Sequence, residues 1–399
     1  TEIYTLSLHD ALPISRILIA AAEASADLYG GLLIDAARKI HAPIEFEGLA
    51  GPAMKQAGCH ALEDYTQHAA MLLNTLGSLG RGLNTLKTIS QQLRAGRYNA
   101  AILIDSPVLN LPIARLCKKH DVPVLYLVAP QIWAWGAWRA GKIRRRIDKL
   151  ACILPFEPAW FAQKNIPAIF VGHPLFDHLA QAPIDSLKIH QLRGQAQHVV
   201  ALLPGSRLHE IQGILPDQLA AAEIIARQTP RTRFLVSAAH DQAEDIIRRH
   251  LANSKLDAQL CRTHKGEMLR AADLALVASG TVTLEVAYHR TPMIVMYNAS
   301  AWTYNLLGRW LIKTPHLALV NILAGRQLVP EFMPYYKSVE PIANEAVEML
   351  VNPRRLDRLR ADLDALMTPY ALPGASEKVA TLLIQMLIDQ AVEPSPEPP

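Results

Sequence analysis

From Arg16 onward, short runs of aliphatic and β-branched residues alternate with longer segments of mixed polarity. RILIAAAE precedes a helical pattern over residues 28–40, AAILID precedes one over 111–120, PVLYLVA precedes one over 137–147, and KLACILPF and AIFVG follow. Runs that are apolar at nearly every position and bounded by Gly and Pro predict strands buried on both faces. Their alternation with helices predicts a parallel sheet covered on both sides. The rhythm breaks over residues 171–185 and restarts with VVALLPGSR, RFLVSAA, AQLCR, ADLALVAS and PMIVMYNA. The expectation is two Rossmann-like, doubly wound α/β domains: residues 16–172, and residues 173–390 ending in helices from Glu340 onward. Residues 391–399 are polar and Pro-rich and predict a disordered tail. Residues 1–15, TEIYTLSLHDALPIS, fit neither pattern, read as a non-native scar and are set aside. Two such domains facing across a cleft would present the carboxyl ends of their strands to one ligand, which puts the weight on strand-to-helix junctions.

With 50% hydrophobic and 19% charged residues among 399, the chain is globular, and its size suits two domains. Its longest uncharged apolar runs are interrupted by Pro123, Pro130 and Pro292, so no membrane-spanning helix is predicted. The four cysteines are scattered at 59, 117, 152 and 261, which predicts neither a zinc site nor disulfides and fits a reduced cytoplasmic compartment. The net charge of +4 is uneven: residues 16–172 hold 18 Lys and Arg against 11 Asp and Glu. Arg139, Lys142, Arg144, Arg145, Arg146 and Lys149 are concentrated there, opposed by Asp148. Such a patch suits an anionic partner.

Four junctions could carry chemistry. Leu203-Pro204-Gly205-Ser206-Arg207 joins a buried strand to a helix: Gly205 permits close backbone approach, the helix start offers N–H groups, and Arg207 adds a cation. This is a diphosphate cradle, or a tight turn capped by Ser206 beside a solvated arginine. Ser279-Gly280-Thr281 has the same form, with Glu285 placed either to bind ribose hydroxyls or simply to favour the helix dipole. In the first half, Glu23 and Asp105 end strands. Each is either a local turn or cap residue or a carboxylate facing the cleft, and Asp105 is the better general base. No G-x-G-x-x-G follows the first strand, which disfavours a nicotinamide enzyme. Asp362 and Asp364 sit in a helical pattern that points them apart, so no metal site and no cofactor are expected. His173 reads as a hydrogen-bonding linker residue more readily than a catalytic one.

Apolar residues at helical spacing over residues 71–93, including Leu73, Leu76, Leu79 and Leu83, are interrupted by Gly77, Gly80 and Gly82. A weak apolar helix bearing Arg81 and Lys87 suits a membrane interface or acyl chain, as does Trp133, Trp135 and Trp138 beside Arg144 and Arg145. Ordinary core packing is the alternative. No RNA-binding motif accompanies the tryptophans, so nucleic acid is not an expected partner.

The blocks AEASAD, GLAGPAM, IDSPVLNL, APQIWAWGAWR, LPFEPAWF, FVGHPLFD, LPGSRLHEI, ASGTVTLE and LVNILAGRQLVPE, in this order over residues 16–331, closely resemble the lipid-A-disaccharide synthase family. The resemblance implies a metal-independent inverting glycosyltransferase of GT-B architecture. Such an enzyme moves 2,3-diacylglucosamine from UDP to the 6-hydroxyl of 2,3-diacylglucosamine 1-phosphate (lipid X), as a peripheral protein on the cytoplasmic face of the inner membrane. By motif, Asp105 corresponds to the family's essential aspartate and Glu23 to the acid of its first loop, while Arg207, Glu285 and Asn321 correspond to donor-binding positions. The chain departs from the family pattern at Ala26, where glycine is usual and a methyl could narrow the cleft entrance. It departs again at Val108-Leu109, where Asp-Phe is usual, and at Val320, where proline is usual. Two other readings keep the nucleotide motifs: a UDP-GlcNAc 2-epimerase or other GT-B enzyme on soluble sugars, and a non-catalytic nucleotide-sugar-binding protein.

Overall fold

The computed structural model describes residues 14–40, 43–64, 76–134, 136–298 and 315–392, with the side chains of 76–81, 391 and 392 outside the description. The chain divides into two units. The first runs to Gln181 and resumes at Leu372, and the second runs from Ala182 to Ala371.

The first unit holds β1 (Ser15–Ala21), α1 (Ala24–Lys39), β2 (Ile44–Leu49), α2 (Pro52–Gln56), β3 (His60–Glu63), α3 (Leu76–Arg94), β4 (Ala100–Ile104), α4 (Pro107–Lys119), β5 (Val124–Leu127), α5 (Ala140–Arg144), β6 (Lys149–Cys152), α6 (Glu157–Ala162), β7 (Ala168–Phe170) and α7 (Pro174–Gln181). Among the described residues its seven strands are all parallel, in the order β3-β2-β1-β4-β5-β6-β7. Their sequences explain the burial: Ile17–Ala21 and Ala100–Ile104 lose all solvent contact because helices cover both faces.

The second unit holds α8 (Ser186–Arg193), β8 (His198–Leu203), α9 (Leu208–Gln228), β9 (Thr232–Ser237), α10 (Asp241–Ala252), β10 (Ala258–Cys261), α11 (Lys265–Ala271), β11 (Leu274–Ala278), α12 (Val282–Tyr288), β12 (Met293–Met296) and β13 (Glu331–Phe332), with further helices at Leu319–Ala324, Glu340–Leu350 and Pro353–Met367. Among the described residues its six strands run β10-β9-β8-β11-β12-β13, again all parallel.

The unit boundary differs from the expected 172/173, and the last helix, Ala375–Val392, belongs to the first unit instead of the second. One buried carboxylate accounts for much of this. Asp177 on α7 accepts from the backbone N–H of Gly374 (2.6 Å), Ala375 (3.2 Å) and Ser376 (2.7 Å), so it caps the returning helix against its own unit. Gly172, expected in a linker, adopts φ +92° and packs where a Cβ would lie 3.5 Å from that of Ala375. Strand β1 begins at Ser15, one residue inside the segment set aside, and Ser15 N–H donates to the Pro43 carbonyl. Residues 1–13 and 393–399 lie outside the described residues.

Candidate functional site

In each unit the strand order reverses once, between β1 and β4 and between β8 and β11, and such a reversal opens a crevice at the carboxyl ends of the strands. The predicted junction residues fall on these two points. Ala21 is in register with Ile104, so Glu23 and Asp105 leave neighbouring strands at the same level. Leu203 is in register with Val277, so the Gly205 and Ser279 turns are likewise neighbours.

Asp105 and Ser106 form a sharp elbow. Both adopt positive φ, 51° and 44°, and Pro107 starts α4 at once. Left-handed backbone in non-glycine residues costs roughly 1–3 kcal/mol each and persists only where neighbours hold it. The Asp105 carbonyl accepts from Asn110 Nδ2 at 2.8 Å and from the Tyr126 hydroxyl, while its N–H donates to the Leu127 carbonyl at 2.9 Å. The Asp105 side chain, half-buried, is thus carried on a fixed backbone. Glu23 stands at the N-cap of α1 in extended conformation, and its side chain makes no capping hydrogen bond there, against the reading of a simple cap.

The acid that does structural work in AEASAD is Asp27, which the sequence reading passed over. Its buried carboxylate accepts from Gly51, Ala53 and Met54 N–H at 2.8, 2.8 and 3.2 Å, fastening the β2–α2 loop beside the crevice. An acid one turn into a helix of otherwise apolar burial was the available signal. Ala26 is fully buried, so its methyl packs in the core and narrows no entrance. Of the other departures, Val108 is 87% exposed in the first turn of α4, Leu109 packs against the core, and Val320 is fully buried.

In the second unit, Gly205 has φ +108°, a backbone conformation that favours glycine, and a Cβ there would lie 2.9 Å from Glu210 Oε2 and displace that carboxylate. The N-cap of the 21-residue α9 is Arg207 in extended backbone, not Ser206, and its side chain makes no capping bond. Arg207 Nη1 instead donates to Glu210 Oε1 at 2.7 Å. His240, at the N-cap of α10, steadies the loop. Its Nδ1 accepts from Ala243 N–H, which leaves the ring proton on Nε2 to donate to the Ser206 carbonyl at 2.8 Å. Gln218, fully buried on α9, donates to the Leu203 and Leu276 carbonyls (3.2 and 3.0 Å) and so ties together the two strands of the reversal.

Beside the Ser279-Gly280-Thr281 turn, Gly280 has φ +152° with open space where a Cβ would point, and Thr283 Oγ1 donates to the Gly280 carbonyl at 2.8 Å. Glu285, mostly buried, accepts from Lys265 Nζ at 2.5 Å. Lys265 opens α11 and was missed because its partner lies twenty residues away.

Two expected contacts are corrected. Asn321 is fully buried with its amide saturated: Nδ2 donates to Val329 O (3.0 Å) and Glu331 Oε2 (3.1 Å), and Oδ1 accepts from Leu328 and Val329 N–H (2.8 and 2.9 Å). It braces the segment leading into β13 and has no capacity left for a donor. Trp133 is no surface anchor: it is 9% exposed, and its indole N–H donates to Glu157 Oε1 at 3.0 Å. Glu157 also accepts from Leu154 N–H at 3.0 Å, and burial raises its carboxyl to about 7. The apolar stripe of α3 is partly core, with Ile89 and Leu93 buried and Leu86 packed against it, whereas Leu83 is 66% exposed. Leu76 and Leu79 lie on α3 with side chains outside the description, and Leu73 and Trp135 lie outside the described residues.

Trp138 is 69% exposed, with the Arg139 guanidinium 5.0 Å and the Lys142 ammonium 5.7 Å from its ring centroid, and Arg144 and Arg145 are exposed beyond it. Among the described residues no helix is long and apolar enough to cross a membrane. His173 is buried against Tyr29 and Phe176, its Nδ1 accepts from Leu175 N–H at 3.2 Å, and burial lowers its pKa to about 4. The ring is neutral and hydrogen-bonded as expected, but inside the first unit and not in a linker.

The model of the family described as lipid-A-disaccharide synthetase matches residues 17–371. A lipid-A-disaccharide synthase of Syntrophus aciditrophicus is 37% identical over 377 residues, covering 93% of this chain and 97% of the relative. One of Geobacter metallireducens is 33% identical over 377 residues, covering 94% and 98%. Among solved structures, the UDP co-structure of S. aureus MnaA superposes with TM-score 0.64 at 11% identity, covering 96% of this chain and 99% of that one. UDP-GlcNAc 2-epimerase from Neisseria meningitidis bound to UDP-GlcNAc superposes with TM-score 0.55 at 11% identity, covering 94% and 100%. At that identity the structural likeness establishes the fold.

Proposed function

The chain belongs to the lipid-A-disaccharide synthetase family and is a UDP-sugar-dependent glycosyltransferase of lipid A disaccharide synthesis, and on that premise we propose its substrates, its residue roles and its attachment to a membrane. It transfers 2,3-diacylglucosamine from UDP to the 6-hydroxyl of 2,3-diacylglucosamine 1-phosphate. The observation that carries this reading is the different chemistry at the two strand-order reversals: carboxylates in the first unit, and in the second cations paired with carboxylates beside a helix start with no side-chain cap.

Asp105 takes the proton from the acceptor hydroxyl as its oxygen attacks the anomeric carbon, and the bond to UDP breaks with inversion. Glu23 orients the acceptor's other hydroxyls. Charge that develops on the diphosphate falls to the first N–H groups of α9 and to Arg207, which leaves Glu210 for the phosphate. Glu285, with Lys265 beside it, takes the ribose, and Ser279, Gly280 and Thr281 line that turn. Both substrates carry acyl chains, and Trp138 with Arg144 and Arg145 offers an exposed aromatic and cationic face to an anionic leaflet on the cytoplasmic side of the inner membrane, with Leu83 as a further apolar contact.

The test is incubation with UDP-diacylglucosamine and lipid X in the presence of EDTA. The expected products are UDP and a β-1,6-linked disaccharide in equal amounts. Release of a 2-epimerised sugar, or no turnover with tight UDP binding, would replace the reading with an epimerase or a binding protein.

A further inference from the structure

Among the buried polar groups of the first unit, two are spent on the backbone of a single residue. Asn110, fully buried in the first turn of α4, uses both hydrogens of its carboxamide on consecutive carbonyls, Ile104 at 2.9 Å and Asp105 at 2.8 Å. Those two carbonyls belong to the peptide planes on either side of the Asp105 Cα, so one side chain fixes both torsions of that residue. Tyr126, fully buried on β5, donates its hydroxyl to the same Asp105 carbonyl from the neighbouring strand, and Asp105 N–H is held by Leu127 O. The conformation held is the left-handed one, followed by a second left-handed residue, which an unbraced Asp-Ser pair would leave.

We propose that Asn110 and Tyr126 are positioning residues for the transfer: they lock the Asp105 elbow and so aim its carboxylate, without touching either substrate. The inference rests on the reading of Asp105 as the base. Burial keeps the Tyr126 phenol well above its usual pKa, so it remains a donor throughout the working range. Neither residue stood out in the sequence, since a tyrosine in an apolar strand and an asparagine in an apolar helix read as packing.

The test is Tyr126→Phe, which keeps the ring that fills the core and removes the one hydroxyl. Loss of a single positioning bond predicts a fall in kcat of roughly tenfold, with KM for the UDP-sugar held within about twofold. The pH–rate profile should drop in height and keep its shape, because the titrating base is unchanged. Asn110→Ala, which releases both carbonyls, should cost more, and if that variant fails to fold Tyr126→Phe still decides. In the Asp105→Asn background, Tyr126→Phe should not lower the residual rate further, since there is no base left to aim. A wild-type kcat for Tyr126→Phe while Asp105→Asn is inactive would overturn the positioning role and leave the base assignment standing. An equal loss from Tyr126→Phe in both backgrounds would mark a general structural defect and also overturn it. Full activity in Asp105→Asn would remove the base and this inference together.

Discussion

At the reversal between β1 and β4 the side chains leaving the sheet are the carboxylates Glu23 and Asp105, and what secures the Asp105 elbow is neutral: the Asn110 carboxamide, the Tyr126 hydroxyl and backbone amides. At the reversal between β8 and β11 the cations Arg207 and Lys265 are held by carboxylates, Glu210 and Glu285, and the loop is pinned by His240. The topology is the same and neutral groups brace the backbone at both; what differs is the charge of the side chains around each. On the proposed reading of Asp105 as the base, the neutral donors that brace its backbone add no cation of their own, which would lower its proton affinity. On the same reading, Arg207 exchanges Glu210 for the diphosphate when the ligand arrives. The fold supplies two crevices, and on the proposed reading the side chains around each decide which reactant it serves.

The largest effect should come from the acidic side. Asp105→Asn is expected to reduce turnover by at least ~10³-fold, in line with loss of a positioned base, while UDP affinity stays within a few-fold. Arg207→Ala should follow: removing one preorganised donor from developing charge costs typically ~2.7–4 kcal/mol, or about 10²–10³-fold in kcat. Steady-state kinetics with the acylated donor measures both. If Arg207→Ala left kcat/KM unchanged, the Gly205 loop would not hold the diphosphate.

A third prediction concerns Glu157, a buried carboxyl held by neutral donors. Its pKa rises from 4.5 to about 7 on folding, so between those values the folded state keeps a proton that the unfolded chain has lost. Stability therefore falls as pH rises through that window and carries the full cost above it, on the order of 3 kcal/mol. Denaturant unfolding of wild type and Glu157→Gln in parallel should show the difference moving in the variant's favour from pH 4.5 to 7.5. A constant difference would contradict the shift. The smallest effect is expected at the surface: Arg144→Glu with Arg145→Glu should weaken co-sedimentation with anionic liposomes at low salt, by ~1 kcal/mol per residue or more, and change little at high salt. Equal binding by wild type and variant at low salt would remove this face from the attachment.

The strands and the residues at their carboxyl ends were legible because a buried parallel strand writes itself as an unbroken apolar run, and β1, β4, β8 and β11 each end in a polar or glycine-containing junction. What escaped were partnerships over distance. Nothing near Asn321 announces that Leu328, Val329 and Glu331 will consume its amide. Trp133 has the composition of an interfacial anchor, yet Glu157, twenty-four residues on, draws it inward. The unit boundary was misplaced because Asp177 reaches a helix start nearly two hundred residues later. Local pattern located the elements and the junctions, and tertiary hydrogen bonding separated out the polar residues that brace them.

The division of labour between the two reversals is tested most directly by measuring UDP affinity calorimetrically, and kcat in the disaccharide assay, for Asp105→Asn and Arg207→Ala side by side. The account predicts that the two separate, with Asp105→Asn binding UDP almost as wild type does and failing to turn over, and Arg207→Ala losing UDP affinity together with rate. Weakened UDP binding in Asp105→Asn, or unaltered UDP binding and rate in Arg207→Ala, would contradict it.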